Sequence, residues 1–143
     1  MVNIILSGII IILIFVTAFS IRECLRSRAY SETRLLFPLG IFVWGDALLI
    51  TPFWIFVTFW FLITKNVFVV KIAFISFWLI RSLGEAIYWI NEQFATNKKN
   101  KPEKFIHFRL LKNDSVYFVN QVFWQVITAV ALTALILTSR NIW

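Results

Sequence analysis

Four long apolar runs, separated by short stretches that hold nearly every charge, constrain this chain more than any other feature of its sequence. A helix needs about 20 predominantly apolar residues to cross a hydrocarbon core. Within lipid, only helices and closed barrels satisfy their own backbone hydrogen bonds. The runs cover about Ile4–Ile21, Leu39–Ile63, Val67–Ile90 and Val116–Leu137. They predict an all-α integral membrane protein, an antiparallel bundle of four transmembrane helices forming a single transmembrane domain over residues 1–143. Composition agrees: 60% of residues are hydrophobic and 15% charged, against about 45–50% and 25% in soluble domains. A soluble enzyme, a disordered tail and a disulfide scaffold are excluded on that ground. Pro52 lies inside the second run and cannot donate to the Leu48 carbonyl, so a bend is expected there.

No basic residue precedes the first run and four arginines follow it, the reverse of a secretory signal. It reads as a retained helix. The net charge of +7 is confined to the segments between runs, which fits membrane topology and not a nucleic-acid surface. Arg22, Arg26, Arg28 and Arg34 lie in the first loop, about 22–38. Lys98, Lys99, Lys101, Lys104, Arg109 and Lys112 lie in the loop at about 91–115. Only Lys65, Lys71 and Arg140 fall on the opposite side. The positive-inside rule then places both basic loops in the cytoplasm and both termini outside. A plasma or inner membrane is expected ahead of an organelle's. Within the second loop, Pro102 and Glu103 suit a helix start. A short interfacial helix would let Lys104, Arg109 and Lys112 contact anionic lipid headgroups. An ordinary juxtamembrane loop would satisfy the charge rule equally well.

Asp46, Arg81 and Glu85 fall well inside apolar runs, where each costs roughly 2.5–3.5 kcal/mol on insertion scales. At about 1.5 Å per residue, Asp46 lies roughly 10 Å from the cytoplasmic end of its run. Glu85, Arg81, Gln121 and Gln125 are expected about 8 to 14 Å deep on the same count. Lys71, Phe74, Trp78, Arg81, Glu85, Tyr88 and Glu92 share a face of the third helix. Asp114, Tyr117, Gln121, Gln125 and Thr128 share one on the fourth. Turned inward together, they bring two carboxylates and one guanidinium into one cluster. The unmatched negative charge calls for a proton or a small cation, with Asn120, Gln121, Gln125 and Thr128 as oxygen donors.

This supports a small transporter or ion- or proton-conducting protein, working as an oligomer. The alternative is a non-catalytic accessory, assembly or immunity-type subunit in which the same polar residues dock a partner helix, since buried polar groups also act as interhelical glue. An intramembrane enzyme acting on lipid headgroups ranks third. The two leading readings differ in whether the stripes face inward or toward another subunit. No catalytic, zinc, P-loop or dinucleotide motif is present. His107 is the only histidine, and the lone Cys24 cannot form an internal disulfide or a multi-cysteine metal site. No cofactor or metal is expected.

Overall fold

A computed structural model describes residues 2–99 and 113–140. Among these residues are four α-helices: α1 (Val2–Leu25), α2 (Trp44–Thr64), α3 (Val67–Phe94) and α4 (Ser115–Arg140), with a 3-10 turn at Arg34–Leu39. All four are long and apolar enough to cross a membrane. Three of them outlast the apolar runs that announce them, because a helix continues through polar residues such as Arg22, Glu23 and Glu92 once its backbone is formed. The second starts five residues late. Gly40 adopts a left-handed conformation (φ 75°) and Val43 an extended one, so residues 40–43 cannot belong to the helix. The expected interfacial helix, with Lys104, Arg109 and Lys112, lies outside the described residues.

The chain forms two compact units, Met1–Ala73 and Phe74–Trp143. In the first, α1 and α2 meet along a seam of small, hydroxyl and apolar residues. Leu13 and Ser20 are buried on α1, and Ala47, Thr51, Trp54 and Val57 on α2. Between them Thr17 Oγ1 lies 2.6 Å from Thr51 Oγ1. Small side chains let two backbones approach closely, which is how helices associate where no hydrophobic effect drives them together. Each hydroxyl also reaches the carbonyl four residues back: Thr17 to Leu13 at 2.8 Å, Ser20 to Val16 at 2.7 Å and Thr51 to Ala47 at 2.6 Å. That bond satisfies a hydroxyl inside a helix without help from water.

The link after α2 is economical. Lys65 (φ 55°) ends the helix by donating its N–H to Phe61 O at 2.8 Å. The Asn66 side chain then accepts the Phe68 N–H at 3.0 Å and starts α3, as an N-cap asparagine does. Lys65 Nζ also donates to Asn3 Oδ1 at 2.7 Å. Pro52 sits within α2, which continues unbroken through it.

In the second unit, Ser82, Ala86 and Trp89 of α3 are buried, as are Tyr117, Trp124 and Ala131 of α4. Thr128 Oγ1 lies 2.9 Å from Ser82 Oγ, and the Trp89 and Tyr117 rings are 6.3 Å apart. Beyond the end of α3, Lys98 pairs with Asp114 and lies 4.6 Å over the Tyr117 ring.

Candidate functional site

The late start of α2 changes the position of Asp46. It is the third residue of the helix, not the eighth. Its Oδ2 accepts the backbone N–H groups of Phe42 at 3.0 Å and Val43 at 3.3 Å. This is the acidic half of a capping box; valine at the N-cap has no oxygen to supply the other half. A carboxylate here also meets the positive end of the helix dipole. The depth of roughly 10 Å expected from the sequence is therefore corrected to the first turn, about 3 Å in.

The segment before α2 completes the cap. Trp44 N–H donates to Ser31 O at 3.3 Å and Gly45 N–H to Ala29 O at 2.8 Å, so two of the donors that a helix start leaves unpaired find carbonyls in the connector. Thr33 bonds the returning strand twice, through N–H to Phe42 O at 2.8 Å and Oγ1 to Ile41 O at 2.9 Å. Trp54 Nε1 donates to Leu39 O at 3.1 Å. What the sequence presents as an open basic loop is thus folded onto α2.

Sequence reasoning missed Glu23. Its side chain is only 8% exposed, with Arg26 Nη1 at 3.5 Å and Arg28 Nη1 at 3.8 Å. An apolar run ending at Ile21 puts Glu23 in a loop, whereas α1 carries it to Leu25. The i,i+3 spacing of Glu23 and Arg26 was the available signal.

In the second unit, Arg81 Nη2 pairs with Glu85 Oε1 at 3.0 Å along α3, both side chains about one-fifth exposed or less. The expected polar stripe coincides with the packing face only in part: Glu92, Tyr117 and Thr128 pack, and Arg81 and Glu85 lie to one side. Buried Ser82, Ala86 and Trp89 each follow Arg81, Glu85 and Tyr88 by one residue, so the two lines lie about 100° apart around the helix. On α4 the offset is smaller, about 50° on the same count. Tyr117, Trp124, Thr128 and Ala131 face the seam, Gln121 is half-buried and Gln125 is exposed. Asn120 Nδ2 donates to its own helix, at Val116 O, 2.9 Å away. Among the described residues, neither Gln121 nor Gln125 has a hydrogen-bond partner.

Of the expected site residues, then, Arg81 and Glu85 are brought together. Thr128 meets Ser82, which the sequence did not single out. Asn120 and Gln125 do not join them, and Asp46 belongs to the first unit. Gln93, also unanticipated, has a buried Oε1 with no hydrogen-bond partner among the described residues. No group of three or more His, Cys, Asp or Glu side chains among those residues is placed to hold a metal ion. Comparison with protein-family models, curated proteins and solved structures yields no match. The functional reading rests on the chemistry of these residues.

Proposed function

We propose that the chain is a small multi-pass integral membrane protein of the accessory or assembly type, which binds a helix of another membrane subunit through the polar flank of α3 and α4. Four helices of spanning length and composition support the membrane part. Contacts of Asn3 with Lys65, Thr17 with Thr51 and Phe19 with Trp44 support antiparallel α1 and α2. Both termini outside and both basic loops inside follow from the lysine and arginine bias.

The observation that carries the docking role is the exposure of Gln125 on a helix of spanning length. An amide facing lipid loses its hydrogen bonds to water and gains none, so a partner's polar group is the economical remedy. The alternative, transport through a charged cluster, needs an unmatched carboxylate. Arg81 and Glu85 neutralise one another, and Asp46 holds the start of α2, so the charge count no longer asks for a mobile proton or cation.

Native mass spectrometry of gently extracted protein is expected to give a stoichiometric complex with another membrane protein. Gln125→Leu should weaken it roughly threefold to twentyfold, the equivalent of about 0.6–1.7 kcal/mol for an interhelical polar contact in a membrane. A monomer or homo-oligomer that carries ions across sealed vesicles, with flux lost in Glu85→Gln, would overturn the docking role in favour of transport.

A further inference from the structure

We propose that Leu35–Val43 is a re-entrant segment, which dips into the lipid beside α2 and presents Leu35 and Phe37 to acyl chains. The inference rests on the membrane reading above. It departs from the cytoplasmic loop that charge counting assigns to residues 22–38.

The sequence of the segment, Leu-Leu-Phe-Pro-Leu-Gly-Ile-Phe-Val, contains no polar side chain. Its backbone descends through the 3-10 turn, reverses at left-handed Gly40 and returns to Trp44. Two measures of depth agree. Trp54 lies ten residues into α2, roughly 15 Å along its axis, and its indole donates to Leu39 O. Because helical side chains lean toward the N-terminus, the tip lies on the order of 10 Å below the first turn of α2. Independently, the return from Gly40 to Trp44 spans up to about 13 Å if extended at roughly 3.3 Å per residue.

Non-helical backbone is tolerated at such depth only where its polar groups are met by protein. Here they are. Leu36 N–H donates to Thr33 O, Gly40 N–H to Phe37 O and Ile41 N–H to Leu36 O, at 3.0, 2.9 and 3.3 Å. Phe42 and Val43 donate to Asp46, and Pro38 has no N–H to satisfy. The carbonyls of Leu39, Ile41 and Phe42 accept from Trp54 and, twice, from Thr33. A loop in water has no need of three separate side chains to close its backbone bonds.

The side chains complete the case. Ile41 is fully buried, while Leu35 is 94% and Phe37 50% exposed. Leu39 borders an apolar groove of about 190 Å³ with Ile9, Ile12, Leu13, Trp54 and Thr58. The neighbouring outward residues of α1 and α2, among them Ile12, Phe15 and Phe56, are equally apolar. Lipid tails are the occupant that matches a tip at this depth between two such helices.

The test uses single cysteines in a Cys24→Ala background: Phe37→Cys, Leu35→Cys, Glu32→Cys and, as a control within α2, Phe56→Cys. The full-length protein in open membrane sheets is treated with a charged, membrane-impermeant maleimide. Glu32→Cys is expected to react roughly tenfold faster than the other three, since water access governs the reactive thiolate. A nitroxide at position 37 or 35 should be relaxed more by oxygen than by a water-soluble paramagnet, which separates lipid exposure from burial in protein. Rapid labelling at 37 and 35 with position 56 protected would overturn the re-entrant segment alone. Rapid labelling at position 56 as well would overturn the membrane reading beneath it.

Discussion

Where a helix begins decides what a single carboxylate does. Asp46 looks from the sequence like a charge stranded in lipid, because hydropathy alone does not mark the turn at Gly40. Five residues of difference in the start of α2 convert it into a cap. An asparagine can accept the same two N–H groups through its amide oxygen but lacks the charge that meets the helix dipole. Asp46→Asn should therefore cost no more than about 1 kcal/mol, while Asp46→Ala, which loses the hydrogen bonds as well, should cost about 1.5–3 kcal/mol, as measured by denaturant titration in detergent. Equal damage from both substitutions would mean that the charge itself is required. Arg81 and Glu85 were legible as a pair, because i,i+4 spacing on a helix places two side chains together whatever surrounds them. Removing one partner, as in Arg81→Leu, leaves a half-buried charge unmatched and should destabilise by about 3 kcal/mol or more. The double variant Arg81→Leu/Glu85→Leu should recover most of that loss.

Helices meet here through their least conspicuous residues. The spans themselves were legible, since their length and apolarity follow from the thickness of the layer they suit. Their contact faces were not. Reading polarity as the inward signal selects Arg81, Glu85, Gln121 and Gln125, yet Ser82 and Ala86, and Thr17, Ser20 and Thr51, lie at the seams. In lipid an apolar side chain gains nothing from facing inward, so size and hydroxyl bonding set the interface instead. The Thr17–Thr51 contact has two hydroxyl protons for three short contacts, so one carbonyl bond yields to the bond between helices. Thr17→Val and Thr51→Val, which keep shape, should each cost about 0.6 kcal/mol, and up to about 1.7. A double-mutant cycle on thermal unfolding should return a coupling of that size; strict additivity would assign the seam to packing alone.

At the level of the molecule, the proposed topology has four crossings, which would return the chain to the side on which it began. Tags at the two termini should therefore both react with an impermeant reagent applied outside intact cells. Lys98→Cys, in the Cys24→Ala background, should react only after permeabilisation; a signal from one terminus alone would require an odd number of crossings. The folded connector adds a consequence for how the protein is made. Every hydrogen bond described for Leu35–Val43 has its partner between Thr33 and Trp54, so nothing in it waits for α3 or α4. Loops of about ten residues close in roughly 10–100 ns, and the chain grows at about 5–20 residues per second. Several seconds of synthesis remain once Trp54 has left the ribosome, so the first helix pair and its connector have ample time to settle before the second pair exists.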